Sequence, residues 1–332
     1  MEHGPTIARA ATIVLLRVRR VAWRLALLTM TEVRLIAIDW GTSTARAYSL
    51  DAKGTIVGER SAALGVQRVT DGRFGEALAT LCGGALPTDV PAVACGMIGS
   101  RQGWIEAPYL ECPAGIAAIA AALVLVPGTR LHIVPGLIAR DAAGVPDVMR
   151  GEETQIFGAL ADGAVTRSVY VLPGTHSKWA VTSAAGVDTF ATFMTGELYA
   201  VLREHSILGR LAATGGDATA FDRGVQASLR AGATLSHDLF SARSLALTAE
   251  LASEGVGDYL SGLLVGAEIA AARAWVADNA AVCTGVTLVG EAALCERYRR
   301  ALMLAGIDAA SAPDAAAARG LWRIAQRAGM VP

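Results

Sequence analysis

Aromatic residues and net charge are both scarce in this sequence. Aromatic residues make up 5% of its 332 positions, charged residues make up 18%, and the formal net charge is −1. General nucleic-acid binders and proteins that bind anionic membranes normally carry a basic excess, so both classes are disfavoured. The hydrophobic fraction of 53% is too high for a disordered chain. We therefore expect a soluble globular protein that has no nucleic-acid partner and buries a sizeable core.

Cysteines and histidines are few, and their spacing fits no metal site. The five cysteines contain no C-x-x-C pair, and the histidines form no H-E-x-x-H motif. An odd number of irregularly spaced cysteines favours reduced thiols over a disulfide framework. The sequence therefore predicts a cytoplasmic protein without structural zinc.

Uninterrupted hydrophobic runs of membrane-spanning length are also missing. A transmembrane helix needs about 18 or more predominantly apolar residues. The segment 114–126 ends at Pro127, and the segment 259–272 contains Glu268. No membrane partner is expected from these segments.

The N-terminal segment 1–31 has its own composition. It is apolar, but four arginines lie between positions 17 and 24. Arginines inside the apolar run, with no small-residue cleavage site after it, are atypical of a signal peptide. We expect an extension that is disordered or non-native, with Met30 as the natural start. The alternative is a basic amphipathic helix that binds membranes or partners.

Several common nucleotide-binding and hydrolase motifs are absent. The sequence has no G-x-x-x-x-G-K-[ST], no G-x-G-x-x-G after a strand and no G-x-S-x-G. These absences disfavour the P-loop, Rossmann and serine-hydrolase architectures.

A long-period internal repeat is the most informative feature that is present. Gly41-Thr42-Ser43-Thr44 and Gly174-Thr175-His176-Ser177 lie 133 residues apart, and each follows an apolar strand and precedes a returning strand. Such a repeat predicts two similarly built domains that face each other. We expect an α/β fold with a first domain over residues 32–165 and a second over residues 166–332.

Hydrophobic periodicity predicts a mostly helical C-terminal half, interrupted by a strand at 286–290. Helices are expected at 196–206, 217–231, 241–254, 258–277 and 291–304. Gly262 and Gly266, four residues apart on one helix, are expected to permit close helix packing.

Each Gly-Thr turn can form a concavity that binds phosphate. Glycine allows close approach, while backbone N–H groups and hydroxyls donate hydrogen bonds to phosphate oxygens. Asp39 precedes the first turn, where the second copy has Leu172, and its carboxylate can hold Mg²⁺ through waters. Lys178 adds a positive charge beside the second turn. The alternative is two ordinary hairpin turns with a solvated lysine.

Longer blocks of sequence surround these turns, and their order along the chain is informative. They are IAIDWGTSTARAY, GMIGSRQGWIEAPYL, VMRGEETQIFGAL, PGTHSKW, MTGELYAVLREHSILG and YLSGLLVGAE. D-x-G-T alone is a loose motif, whereas VMRGEETQ and PGTHSKW in this order are specific. Together the blocks resemble the 2-dehydro-3-deoxygalactonokinase family, from residue 33 to about residue 329.

The resemblance implies a fold, a reaction and two cofactors. The family belongs to the sugar-kinase, actin and Hsp70 fold class, in which two ribonuclease-H-like domains enclose an ATP cleft. It implies an ATP- and Mg²⁺-dependent kinase of the 6-hydroxyl of 2-dehydro-3-deoxy-D-galactonate, a small sugar acid of galactonate catabolism. On this basis 41–44 form the first phosphate loop, with Asp39 organising Mg²⁺, and 174–178 form the second. His176 can alternatively be a structural histidine.

The acceptor hydroxyl needs a base, and the segment that begins at Arg150 supplies two candidates. Sugar kinases of the glycerol-kinase type place a Gly-Asp pair before a similar helix, and Glu152 resembles that aspartate. Because glutamate replaces aspartate and the helix register differs by one, Glu153 remains an alternative. The helix dipole alone also favours acidic residues in a first turn. Arg150 is expected to pair with the substrate carboxylate or to hold Glu153 in place.

The loop 96–110 is expected to line the sugar-acid site. A polar acid needs hydrogen-bond donors, a cation and an apolar wall. The loop offers Ser100, Arg101, Trp104 and Tyr109. The alternatives are a solvated surface arginine and a tryptophan that serves only packing.

Adenosine contacts are expected at the predicted strand 286–290. The fold class places a glycine between such a strand and the following helix, and Gly290 and Glu291 occupy this junction. Related kinases often have two glycines there, whereas this sequence has one.

Three other functions fit parts of the sequence. The nearest is a kinase for a related acid such as 2-dehydro-3-deoxy-D-gluconate, which differs by one stereocentre. A nucleotide-dependent binding module of the actin or Hsp70 kind needs an effector region, for which 332 residues leave little room. A sugar-sensing regulator is disfavoured by the intact Asp39 and Glu152. The sequence predicts no oligomeric state.

Overall fold

A computed structural model describes residues 33–160, 167–280 and 285–332. The predicted extension 1–31 lies outside the described residues. Two large sheets, one small sheet and a set of helices make up the described chain.

The first large sheet has six strands. They are β1 Leu35–Trp40, β2 Ala45–Leu50, β3 Ile56–Ala62, β4 Ala92–Gly96, β6 Val124–Leu125 and β7 Leu131–Ile133. Their order across the sheet is β3-β2-β1-β4-β7-β6. β1 is antiparallel to β2 and parallel to β4, and β4 is parallel to β7. β1 and β4 therefore end at the same edge of the sheet, beside the turn 41–44.

The second large sheet repeats this arrangement. Its strands are β10 Ser168–Leu172, β11 Ser177–Ser183, β12 Gly186–Phe193, β13 Val286–Leu288 and β14 Ala309–Ser311. The order β12-β11-β10-β13-β14 matches β3-β2-β1-β4-β7, with the same parallel and antiparallel pairs. The first strands begin at Leu35 and Ser168, which is the offset of the sequence repeat. The predicted fold of two ribonuclease-H-like units is confirmed.

A small three-stranded sheet belongs to the first unit. It contains β5 Tyr109–Glu111, β8 Gly136–Arg140 and β9 Pro146–Met149, in the order β5-β8-β9. β9 leads directly into Arg150 and the following helix, so this sheet sets where the predicted base segment begins.

Ten α-helices lie in the described part of the chain. They are α1 Phe74–Cys82, α2 Ile116–Ala121, α3 Glu152–Ala159, α4 Thr195–His205, α5 Ala218–Leu229, α6 Leu235–Asp238, α7 Ser241–Leu247, α8 Val256–Asn279, α9 Ala292–Leu304 and α10 Ala316–Arg327.

Most of the predicted helices are present, with one shortened. The helix expected at 241–254 ends at Leu247, because the chain turns at Ala249, whose φ is +58°. The sequence prediction did not include β12, β14 or α10.

Strand periodicity assigns each face of the two sheets to a different core. On β1, Leu35 and Ala37 face the core between the sheets, whereas Ile36, Ile38 and Trp40 pack under α1. Because side chains alternate along a strand, Asp39 shares the face of Leu35 and Ala37.

The second unit follows the same rule. Leu172 and Ala180 face the core between the sheets, while Val171, Trp179 and Val181 pack against α8 and α9. Lys178 therefore lies on the face of Ala180, toward the first unit.

The helix α10 follows the whole second sheet but packs against the first unit. Leu321 and Ile324 are buried in the core between the sheets. Arg323 donates hydrogen bonds to the carbonyl oxygens of Phe157 and Leu160, which end α3. The linear division at residues 165 and 166 remains a prediction, and α10 joins the first unit across it.

Among the described residues, one helical stretch, Ser253–Asn279, is long and apolar enough to cross a membrane by length and composition. Half of its most apolar window is buried inside the protein. Within it, added Cβ atoms on Gly262 and Gly266 would overlap the backbone of α5 at Phe221 and Val225. The expectation that these glycines permit close helix packing is confirmed.

The crossing of α3 and α10 yields a stability prediction. A Cβ on Gly320 would overlap the carbonyl oxygen of Thr154. We expect Gly320→Ala to lower the free energy of unfolding by about 1–3 kcal/mol, despite the better helix propensity of alanine. Urea unfolding measures the change.

The matched control is Gly75→Ala in α1. Gly75 is exposed, and an added Cβ there would meet only the Trp104 ring at an ordinary 3.8 Å. This variant should be neutral or slightly stabilising. Equal stability of the two variants would contradict the tight crossing.

Candidate active site

The first Gly-Thr turn is held by a neighbouring segment that the sequence prediction missed. The Gly41 N–H donates to the Thr44 carbonyl oxygen at 2.9 Å, which closes the turn. The carbonyl oxygens of Gly41, Thr42 and Ser43 accept hydrogen bonds from the backbone N–H groups of residues 65–67. A Cβ on Gly65 would overlap the turn backbone. The carbonyl oxygens of the turn therefore face residues 65–67, and its side chains at 42–44 are exposed, where they can contact a ligand.

The second turn is held by the start of α4. The Glu197 N–H donates to the Thr175 carbonyl oxygen at 2.9 Å, and the Glu197 carboxylate pairs with the His176 ring. Gly196 lies against Gly174, where a Cβ would overlap the backbone. His176 therefore has a structural partner, as the alternative interpretation expected.

Ser177 and Lys178 point in opposite directions because they are neighbours on β11. The Ser177 side chain is fully buried and lies 2.8 Å from the Tyr298 hydroxyl. The Lys178 ammonium lies on the other face, 3.7 Å from the Glu152 carboxylate.

The two glutamates at the start of α3 have different surroundings. Gly151, whose φ is +110°, makes the sharp turn from β9 into the helix, and its N–H donates to Glu153 at 2.6 Å. Glu153 is fully buried and also accepts a hydrogen bond from the Thr154 hydroxyl at 2.8 Å. The Glu152 side chain is 27% exposed and faces Lys178. Glu152 is therefore the glutamate that a substrate can reach.

Burial and mutual repulsion raise the pKa of two carboxyl groups here. Desolvation, together with the negative charge of Glu152, raises the pKa of Asp39 to about 6, although Arg46 and the Cys95 thiol oppose this rise. Desolvation and the same charge raise the pKa of Glu153 to about 7. A carboxyl group in such surroundings is stabilised when it binds a cation or a proton.

The surroundings of Asp39 suit a cation that keeps most of its waters better than a cation held entirely by protein side chains. One oxygen of Asp39 faces the Cys95 thiol, a weak donor, at 3.9 Å. Within 33–160, 167–280 and 285–332, no group of three or more His, Cys, Asp and Glu side chains forms a metal cage. Mg²⁺ commonly keeps several waters and binds through one or two carboxylates.

Arg150 is the buried arginine of the predicted substrate segment. Its guanidinium lies 4.2 Å from the centre of the Tyr109 ring, and Nη2 donates to the Ala107 carbonyl oxygen at 2.8 Å. The residue is 8% exposed, and its Nε and Nη1 atoms have no hydrogen-bond partner among the described residues. Each buried charged donor without a partner costs about 1–3 kcal/mol or more. The site therefore suits an anion.

The remaining residues of the predicted substrate loop have other surroundings. The Arg101 side chain is 88% exposed and pairs with Glu106 at 3.5 Å. Trp104 stacks on Phe74 with ring centres 6.1 Å apart, in the core under the first sheet. The Ser100 hydroxyl donates to the carbonyl oxygen of Met97, which closes the loop. Of the loop residues, Tyr109 lies beside Arg150.

A cavity of about 390 Å³ connects Asp39 with the predicted adenosine residues. Gly290 has a φ of +142°, which favours glycine at this junction. Glu291 caps α9 by accepting hydrogen bonds from the N–H groups of Ala293 and Leu294. The sequence prediction missed most of the lining, which includes Arg46, Tyr48, Gln155, Glu296, Arg299 and residues 311–317.

Comparisons with known sequences agree on one family. A sequence model of the 2-keto-3-deoxy-galactonokinase family matches residues 39–324. A 2-dehydro-3-deoxygalactonokinase of Escherichia coli (strain K12) is 38% identical over 295 residues, covering 88% of this chain and 97% of that protein. A Rhizobium meliloti (strain 1021) protein of the same name, qualified as probable, is 37% identical over 301 residues, covering 86% and 97%.

A solved structure agrees with the fold. The crystal structure of a Sinorhizobium meliloti protein, named provisionally as a 2-dehydro-3-deoxygalactonokinase, matches with a TM-score of 0.79 at 36% identity. The match covers 88% of this chain and 98% of that chain.

The buried Glu153 carboxyl yields a prediction about pH and stability. Its pKa rises from 4.5 to about 7 on folding, so the folded state binds more protons in this window and wild-type stability falls as pH rises through it. Glu153→Gln lacks this fall. Relative to the wild type, its free energy of unfolding should rise by about 1–3 kcal/mol between about pH 5 and about pH 8. Urea unfolding at both pH values measures the difference.

Thr182→Val is the control, because it alters a buried side chain that carries no charge. Its difference from the wild type should not change with pH. A difference that is also flat for Glu153→Gln would show that this carboxyl does not titrate in the window.

Proposed function

Because this chain belongs to the 2-keto-3-deoxy-galactonokinase family, we propose that it transfers the terminal phosphate of ATP to the 6-hydroxyl of 2-dehydro-3-deoxy-D-galactonate. The observation that carries the proposal is the meeting of Asp39, Glu152 and Lys178 in the core between two matching units. Each unit contributes one Gly-Thr turn beside this point. The enzyme is proposed to act in the cytoplasm, in galactonate catabolism.

Glu152 is proposed as the base that accepts the proton of the attacking hydroxyl. It is the more accessible of the two glutamates, and α3 fixes its position at the end of β9. Lys178, 3.7 Å away, forms an ion pair with its carboxylate. Glu153, with both oxygens engaged by Gly151 and Thr154, is proposed to fix the turn before α3.

The two Gly-Thr turns are proposed to hold the phosphates of ATP. Backbone N–H groups and the exposed hydroxyls of the first turn donate to phosphate oxygens, and Lys178 neutralises charge beside the second turn. Asp39 is proposed to hold Mg²⁺ through water, which suits its desolvated carboxylate. Bound Mg²⁺ would neutralise the charge that develops on the transferred phosphate.

Arg150 is proposed to bind the carboxylate of the sugar acid. Its unpartnered donors, Nε and Nη1, are buried and charged, so hydrogen bonds from a carboxylate would satisfy them. The exposed pair of Arg101 with Glu106 supports a surface role for Arg101. Tyr109, whose ring lies against the Arg150 guanidinium, would border this anion site, and Ser100 is proposed only as a donor on the same loop.

The cavity lined by Gly290 and Arg299 is proposed to take adenosine. It extends from Asp39, so a nucleotide seated there would direct its phosphates toward the two turns. Closure of the units on both substrates would exclude water, the wasteful competing acceptor.

The first functional test is an ADP-release assay with MgATP and each of two acids. We expect turnover with 2-dehydro-3-deoxy-D-galactonate to exceed turnover with its gluconate epimer. Glu152→Gln and Asp39→Asn should each lower kcat by about 10²–10³. Glu204→Gln, at an exposed position on α4, should match the wild type.

Each other outcome has a definite meaning. Preference for the gluconate epimer would reassign the substrate, and turnover with neither acid would refute the proposed reaction. Full activity in Glu152→Gln would exclude it as the base.

Arg150 and Arg101 make a matched pair for testing carboxylate recognition. Arg150→Lys keeps the charge but loses the planar fork, so the KM for the acid should rise about 10- to 100-fold while the KM for MgATP stays the same. Arg101→Lys should change neither constant. Equal effects of the two variants on the KM for the acid would refute the assignment of Arg150.

A further inference from the structure

A buried polar network lies behind the second Gly-Thr turn. At its centre is Glu268 of α8, which is 3% exposed. Its carboxylate accepts a hydrogen bond from the Trp179 indole N–H at 2.8 Å and from the Tyr298 hydroxyl at 2.7 Å. Burying a charged carboxylate in the middle of an apolar helix costs free energy. Burial therefore raises the pKa of Glu268, and the hydrogen bonds oppose this rise.

The direction of the hydrogen bonds can be deduced from the proton count. A tyrosine hydroxyl has one proton, and Tyr298 donates it to Glu268. The Ser177 hydroxyl lies 2.8 Å from that of Tyr298 and is also within hydrogen-bond reach of Glu268, so its proton goes to one of these two buried acceptors. The Ser177 proton therefore points into the protein interior, away from any ligand at the turn.

The same glutamate also reaches the second support of the turn. The Thr195 hydroxyl lies within hydrogen-bond reach of Glu268 and lowers its pKa. Thr195 is the first residue of α4, and the next two residues pack against Gly174 and donate to the Thr175 carbonyl. Glu268 thus connects both elements that hold the turn.

We propose that Glu268 and Tyr298 are positioning residues for the nucleotide phosphates. They fix the second turn through Ser177 on one side and Thr195 on the other, and the Ser177 hydroxyl is an internal anchor rather than a phosphate ligand. This inference rests on the proposed ATP-dependent function.

The test measures nucleotide affinity directly, without the sugar acid. Calorimetric titration with Mg²⁺ and a non-hydrolysable ATP analogue gives the Kd of each variant. We expect Tyr298→Phe and Ser177→Ala each to weaken binding about tenfold, equivalent to about 1.4 kcal/mol. The double variant should be no weaker than either single one, because both remove the same link.

Tyr259→Phe is the matched control. Like Tyr298 of α9, Tyr259 of α8 is buried. Its hydroxyl is 2.9 Å from that of Ser241, away from the turn. The control removes a tyrosine–serine hydrogen bond of the same kind, so it should lose stability without changing the Kd. In the kinase assay, Tyr298→Phe should raise the KM for MgATP and leave the KM for the acid unchanged.

Glu268→Gln keeps the size of the side chain but puts an amide NH2 in place of one of the two oxygens that accept from Trp179 and Tyr298. It should also weaken analogue binding, by at least about threefold. If Tyr298→Phe does not fold, Ser177→Ala and Glu268→Gln carry the test.

The outcomes separate this inference from the proposed function. Analogue binding by the wild type with unchanged Kd in Tyr298→Phe and Glu268→Gln would overturn the inference alone. Multiplying effects of Ser177→Ala and Tyr298→Phe would also overturn it, because they would make Ser177 a direct ligand. Failure of the wild type to bind the analogue would overturn both.

Discussion

The close crossing of α3 and α10 determines where the carboxylates of the candidate site lie. Gly158 and Gly320 let the two backbones touch, and any side chain at either position would separate them. Because α3 begins at Glu152, a displaced crossing would move both glutamates relative to Asp39 on the sheet. Helix packing that is remote from the ligands thus sets distances within the site, as expected for a core without spare volume.

Charge in the core between the sheets is balanced across the two units. The first unit contributes the carboxylates of Asp39 and Glu152, and the second contributes the Lys178 ammonium, which is 5% exposed. Strand alternation places Asp39 and Lys178 on the facing sides of the two sheets, and the start of α3 places Glu152 beside Lys178. Burial is the main cause of the raised pKa of Asp39, and the negative charge of Glu152 adds to it. A bound phosphate chain would add negative charge beside Lys178, and its cation would add positive charge beside the carboxylates of Asp39 and Glu152.

The sequence predicted what local patterns can encode. The paired strands and Gly-Thr turns were identified because apolar alternation and glycine at a turn are local signals. α10 was missed although it is alanine-rich, and Gly65 was missed because its role depends on contact with a turn more than twenty residues away. The alternation of side chains along β11 could have predicted that Ser177 and Lys178 lie on opposite faces of the strand. Ser177 shares the apolar face of Trp179, and Lys178 lies on the other face. No local pattern distinguishes the buried Arg150 from the exposed Arg101.

The place of α10 also has a consequence for biosynthesis. A ribosome completes the second sheet before it makes the helix that covers the first one, so Leu321 and Ile324 reach their core last. Until then the first unit exposes the apolar face that these side chains will bury, a state that chaperones recognise. A frameshift after residue 315 would therefore damage the half of the protein that was synthesised first.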